Sequence, residues 1–218
     1  MYEYGGLPYA VIPGEKRRIL FSDSKNKTIG LLNIDHQTVD TVFESKALRY
    51  AEFDAHPHIA DGSEENAWVV AVEEDHEGDP RPEDVCNYIV VINLVTKVIK
   101  RVVEGADFYT YPRFSPDGDK VAWIEWNHPG LPFLSTKLKL GDFDKETGAV
   151  SNVQLIAGDE KESVAEPRWS PDGKLFFGSD KNGFRQLRAW SSAGEVTTFD
   201  IPGLEDSEIG DASWHLGW

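Results

Sequence analysis

One heptapeptide is spelled twice in this chain. Pro112-Arg113-Phe114-Ser115-Pro116-Asp117-Gly118 and Pro167-Arg168-Trp169-Ser170-Pro171-Asp172-Gly173 agree at six of seven positions, and the seventh exchanges one aromatic for another. The Ser-Pro-Asp-Gly part spells a β-turn: Ser opens it, Pro presets φ, Asp bonds nearby backbone and Gly accepts a positive φ. The runs that follow, KVAWIEW at 120–126 and KLFFGS at 174–179, are short, apolar and rich in aromatic and β-branched residues, as buried strands are.

Phe114 and Trp169 stand 55 positions apart, too far for a hairpin repeat and right for a unit of about four strands. RYAEFDAHP (49–57) supplies a degraded third copy, in which Phe53 takes the place of Phe114. A second register agrees: ILFSDSKNKTIGLL (19–32) parallels LFFGSDKNGFRQLRAW (175–190), and Ser22 and Ser179 lie 157 positions apart, three units of about 52. The spacing therefore predicts an all-β β-propeller forming one domain over 1–218, with about four blades of four antiparallel strands. The blades fall at 5–45, 46–104, 105–158 and 159–203. Their strands are expected at 8–12, 18–22, 28–34 and 39–43; 50–54, 67–73, 86–94 and 98–103; 110–114, 120–126, 135–142 and 150–156; 165–169, 174–178, 184–190 and 195–199. Long loops at 73–84 and 127–136 join the second and third strands of the middle blades. Residues 204–218, ending in DASWHLGW, read as the opening strand of a further blade, and no stretch keeps a helical period beyond two turns.

Composition narrows the function. Asp and Glu outnumber Lys and Arg 38 to 22, a net charge of −16 that repels a phosphate backbone, so nucleic acid is excluded as a partner. Cys86 is the single cysteine and forms no internal disulfide; with no export signal or long apolar run in the sequence, the expectation is a cytoplasmic protein with no membrane span.

With these residues in view, the chain resembles the β-propeller part of the prolyl oligopeptidase family of serine peptidases, in its acylaminoacyl-peptidase or dipeptidyl-aminopeptidase branch. The resemblance is carried by YEYGG (2–6), RYAEFDAHP (49–57), VEEDH (72–76), GADFYTYPRFSPDGDKVAWIEWNHPGLPF (105–133), ESVAEPRWSPDGKLFFGSD (162–180) and NGFRQLRAW (182–190). It implies a propeller that lids an α/β-hydrolase domain and filters peptide substrates, with a Ser-Asp-His triad in that second domain, its Ser on a G-x-S-x-G elbow. The elbow does not occur in this sequence, so catalytic residues are expected to be none. The chain departs from its relatives at Gly5-Gly6-Leu7-Pro8 and at Phe133 and Leu134, in segments that face the hydrolase.

The resemblance puts Trp126, Asn127, His128 and Pro129 on the face turned to substrate or partner, and Tyr2, Tyr4, Gly5 and Gly6 in the propeller entry. The remaining repeat residues, Ser115, Pro116, Asp117, Gly118, Ser170, Pro171, Asp172 and Gly173, read as turn formers beside Phe53, Phe114 and Trp169, with Trp169 in the core. Glu73-Glu74-Asp75-His76 with Asp79 lacks the ordered ligands and sharp-turn Gly of a Ca²⁺ loop and reads as a solvated acidic loop. His56 and His58 flank Pro57 as a pair with no third ligand, and His36, His76, His128 and His215 are scattered, so no metal or other cofactor is expected. Cys86 reads as a small buried hydrophobe.

Three functions follow. The chain is a propeller module whose peptide hydrolysis needs a separate α/β-hydrolase domain; or a stand-alone truncated propeller that binds and assembles, as a homodimer completing a ring; or an enzyme using a propeller pocket on a small molecule.

Overall fold

The computed structural model describes residues 6–78, 81–199, 201–204 and 206–210. Sixteen strands fill these residues. The first sheet holds β1 Tyr9–Ile12, β2 Arg18–Asp23, β3 Thr28–Asn33 and β4 Thr38–Glu44; the second β5 Leu48–Ala55, β6 Trp68–Asp75, β7 Cys86–Asn93 and β8 Ile99–Val103. The third holds β9 Phe108–Phe114, β10 Lys120–Trp126, β11 Lys137–Asp144 and β12 Ala149–Ala157; the fourth β13 Val164–Trp169, β14 Leu175–Ser179, β15 Gln186–Trp190 and β16 Val196–Thr198. Every sheet is an antiparallel meander in chain order, and the first strands pack side by side in the order β1, β5, β9, β13 around one axis. This is the four-bladed propeller arrangement that the repeat predicts. Two single 3₁₀ turns, Ile59–Asp61 and Pro82–Asp84, are the only helical pieces among the described residues, and none is long and apolar enough to cross a membrane. The strand expected from DASWHLGW lies at 211–218, outside the described residues.

Apolar residues on both faces of the second and third sheets make the core. Val69, Ala71, Val90 and Ile92 face the first blade with Leu20 and Ile29, while Val70, Val72, Ile89 and Val91 alternate to the other side against Trp123 and Ile124 of the third blade. Sheets covered on both faces read as continuous apolar runs, and WVVAV (68–72) and YIVVI (88–92) do so.

The repeated turn works as the sequence predicts. In the third blade the Ser115 hydroxyl donates to Asp117 at 2.5 Å and accepts the Lys120 amide at 3.0 Å; in the fourth, Ser170 donates to Asp172 at 2.6 Å and accepts the Lys174 amide at 3.1 Å. Gly118 and Gly173 take φ of +79° and +81°, which only glycine adopts freely. The Ser170 hydroxyl, then the Lys174 ammonium, hold the Asp172 carboxyl below the usual range.

Several expectations need correction. Phe53 does not occupy the register of Phe114: Ala55 pairs with Val69 as Phe114 pairs with Val121, and His56-Pro57 stands where Ser115-Pro116 and Ser170-Pro171 stand. The aromatic had drawn the alignment two residues off. Trp169 is only half-buried, packing on the core while its indole donates to the Arg113 carbonyl at 3.3 Å. Cys86 is exposed, because it opens β7 beyond the packed part of the sheet; its thiol lies 3.7 Å from the Asp84 carbonyl. Glu73 to Asp75 are not loop: β6 runs on through them and buries Glu73 and Glu74 to 2% and 1% exposure. Arg101 makes this tolerable, binding Glu73 at 2.6 Å and Asp75 at 2.7 Å, while the Tyr50 hydroxyl donates to Glu73 at 2.6 Å. Glu74 meets Arg49 at 3.8 Å and His76 at 3.1 Å.

Candidate functional site

Trp126 ends β10, where the chain leaves the third blade for the loop at 127–136. It is buried and stacks on Phe108 of its own blade at 5.1 Å with a 15° interplanar angle. The neighbouring connection holds the loop's root. The Asp107 amide donates to Asn127 Oδ1 at 2.7 Å, Asp107 Oδ2 accepts the His128 amide at 2.8 Å, and the His128 ring meets the Phe108 face edge-on at 4.8 Å. The His128–Pro129 bond is cis. Asn127, His128 and Pro129 keep their outer surfaces exposed and line an open cleft of about 430 Å³ with Ser135, Asp159 and Glu160. The structure thus joins Trp126, Asn127, His128 and Pro129 at one cleft, with Trp126 buried in its wall and the other three exposed.

The entry segment lies elsewhere. Tyr2, Tyr4 and Gly5 fall outside the described residues. Gly6, at φ +97°, lies against the second blade, where a Cβ would come within 3.1 Å of Ala51 Cβ and 3.3 Å of Glu52 Oε1. Its lack of a side chain is what lets the backbone approach: the Leu7 amide donates to Glu52 Oε1 at 3.0 Å, and the Glu52 amide returns a bond to the Leu7 carbonyl at 2.9 Å.

Glu52 introduces a feature that the sequence reading missed. Glu52, Tyr111 and Glu166 occupy the same place in the inner strands of three successive blades, and all three adopt the left-handed conformation, at φ of +60°, +50° and +49°. A β-bulge accompanies each, between Ala51 and Asp54, Thr110 and Arg113, and Ala165 and Arg168. Such residues cost on the order of 1 kcal/mol each, so the neighbours must hold them. Around Glu52 and Tyr111 they do so with charge. Glu52, fully buried, meets Arg113 of the next blade at 3.3 Å; the guanidinium groups of Arg113 and Arg168 both lie 5.5 Å from the Tyr111 ring centre; and Asp54 accepts the Phe114 amide at 2.8 Å. Burial pushes the Asp54 carboxyl upward, against the pull of Arg113 and the Phe114 amide. The visible signal was the repeated Pro-Arg pair, which the second blade replaces with Phe53-Asp54.

Chemically, the axial cluster is the Glu52–Arg113 ion pair with two guanidinium groups beside the Tyr111 ring, and the cleft offers hydrogen-bonding groups beside an aromatic edge. Among the described residues no His, Cys, Asp and Glu group is arranged to hold a metal ion.

No protein-family model matches the chain, and no curated protein matches it by sequence. Solved structures do. A puromycin-hydrolysing peptidase of Mycobacterium tuberculosis superposes on all of this chain with a TM-score of 0.81 at 26% identity, over 34% of its own length. A puromycin hydrolase matches likewise, with a TM-score of 0.83 at 24% identity and 34% of its length. The dipeptidyl peptidase 4 of Porphyromonas gingivalis shares the fold alone, covering 87% of this chain with a TM-score of 0.59 at 16% identity. The chain therefore spans 34% of each puromycin-hydrolysing chain and corresponds to their propeller portion, which makes it a propeller related to those of the prolyl oligopeptidase family.

Proposed function

We propose that this chain is a non-catalytic propeller module that gates peptide access to a separate α/β-hydrolase domain. The observation that carries this reading is the match over 34% of the puromycin-hydrolysing peptidases, confined to their propeller portion, in a chain whose sequence lacks a G-x-S-x-G elbow. The cleft at Asn127, His128 and Pro129 is where a peptide or the hydrolase would meet the module. Its exposed imidazole and the Asn127 amide nitrogen supply hydrogen-bonding groups, and Asp107 fixes them by bonding the Asn127 side-chain oxygen and the His128 backbone amide. Calorimetric titration with a short unblocked peptide tests the gating face. Binding weakened at least about 10-fold by His128→Ala, one charge-assisted or neutral hydrogen bond's worth, supports the assignment. Binding left unchanged by His128→Ala and Asn127→Ala removes it.

A further inference from the structure

Asn87 carries an unmet hydrogen-bonding group between the second and third blades. It stands directly opposite Glu74, β7 against β6, and is 4% exposed. Its Nδ2 donates to the Asp107 carbonyl at 2.7 Å, bridging the two blades, while its Oδ1 is shut from bulk solvent and accepts no bond. A buried acceptor in that position is costly until a donor arrives. A nook of about 20 Å³ lies here, lined by Asn87 with Glu74, Glu83, Asp107 and Phe108, and His128 lines both this nook and the larger cleft beside it.

That volume takes one water-sized group and no more. The side chains around it offer three carboxylates and the free amide oxygen, all acceptors. Arg49 and His76 reach Glu74, and Arg81 reaches Glu83, but among the described residues no cation pairs with Asp107. A water would bring two donors and leave the excess negative charge in place. A primary ammonium brings three donors and a positive charge on a compact head, whereas a guanidinium is too wide. We infer that the nook is a binding site for a primary ammonium group, held by Asn87 Oδ1 together with the Glu74 and Asp107 carboxylates. Only the source of that group, a peptide N-terminus or a lysine side chain, rests on the reading of the adjoining cleft as a peptide face.

Titration of the full chain with methylammonium chloride, followed by the NMR signals of the Asn87 side-chain amide, tests the site by itself. Tetramethylammonium chloride at the same concentrations, bulkier and without N–H donors, is the control. A saturable shift with methylammonium alone is expected. Asp107→Asn keeps an oxygen for the His128 amide, lies at an exposed position and should raise the dissociation constant at least about 10-fold. A trialanine amide with a free N-terminus and an N-acetylated counterpart with a central lysine separate the two sources, since the one that competes with methylammonium at Asn87 supplies the head. Linear shifts common to both salts, or saturation indifferent to Asp107→Asn, overturn the inference and leave the nook to an ordered water. Peptide binding to the cleft that His128→Ala weakens would still stand in that event. A methylammonium site that neither peptide enters supports the nook and counts instead against the peptide reading of the cleft.

Discussion

Gly118 lies directly against the imidazole of His56, so close that a methyl group in its place would stand 2.1 Å from Nε2. The contact crosses from the second blade to the third, and the same ring meets Phe114 edge-on at 5.2 Å. Gly173 holds the equivalent place one blade later, with nearly the same φ, and has nothing within 4 Å of its absent Cβ. The two glycines therefore separate backbone strain from packing. Gly173→Ala is expected to cost about 1 kcal/mol, from the left-handed conformation alone. Gly118→Ala adds the clash and should cost about 2–4 kcal/mol. Urea denaturation of the two variants measures both.

The buried ion pairs of the second blade predict an asymmetric response. Arg101 is the cation nearest to Glu73 and Asp75 and lies over the Tyr88 ring at 3.9 Å. Arg101→Met strands a carboxylate that is 2% exposed, and should destabilise by about 2–4 kcal/mol, less than a fully buried pair because Arg101 itself is partly exposed. Adding Glu73→Gln should recover part of the loss. Equal denaturation midpoints for the single and double variants would show that Glu73 does not depend on Arg101.

His56 links the fold to pH. Burial holds its pKa below the ordinary 6.5, so between that value and its folded value the unfolded chain binds the proton and the native chain does not. Its contribution is complete above pH 6.5 and is lost as pH falls below it, by up to about 1.4 kcal/mol per unit. His56→Asn retains an acceptor for the His58 amide, which now bonds Nδ1 at 3.3 Å, and removes that titration. The difference in urea midpoint between pH 7.5 and pH 5 should shrink in the variant.

What was legible in the sequence was periodic. Ser-Pro-Asp-Gly encodes its own turn locally, and the alternating aromatic and β-branched runs encode buried strands, so the sixteen strands could be placed within a few residues. The errors sit where a tertiary partner overrides local character. Glu73 and Glu74 look like solvent until Arg101, two strands away on β8, and Arg49, on the adjacent β5, are brought beside them. Phe53 looks like the repeat's aromatic until the left-handed Glu52 and its bulge shift the register by two. At the candidate site, the sequence marked Trp126 to Pro129, but that Trp126 is buried against Phe108 while the other three stay exposed depends on a ring arriving from the neighbouring strand. The axial Glu52 to Arg113 pair spans 61 positions and two blades, beyond any local pattern.

The division of labour between this propeller and a hydrolase is tested most directly by intact-mass spectrometry of the chain after incubation with a fluorophosphonate probe, which labels activated serines. The predicted result is an unchanged mass of 24.4 kDa, every serine here lying outside a nucleophile elbow. A stoichiometric single adduct, lost when the chain is first unfolded, would contradict it and place a peptidase centre within the propeller itself.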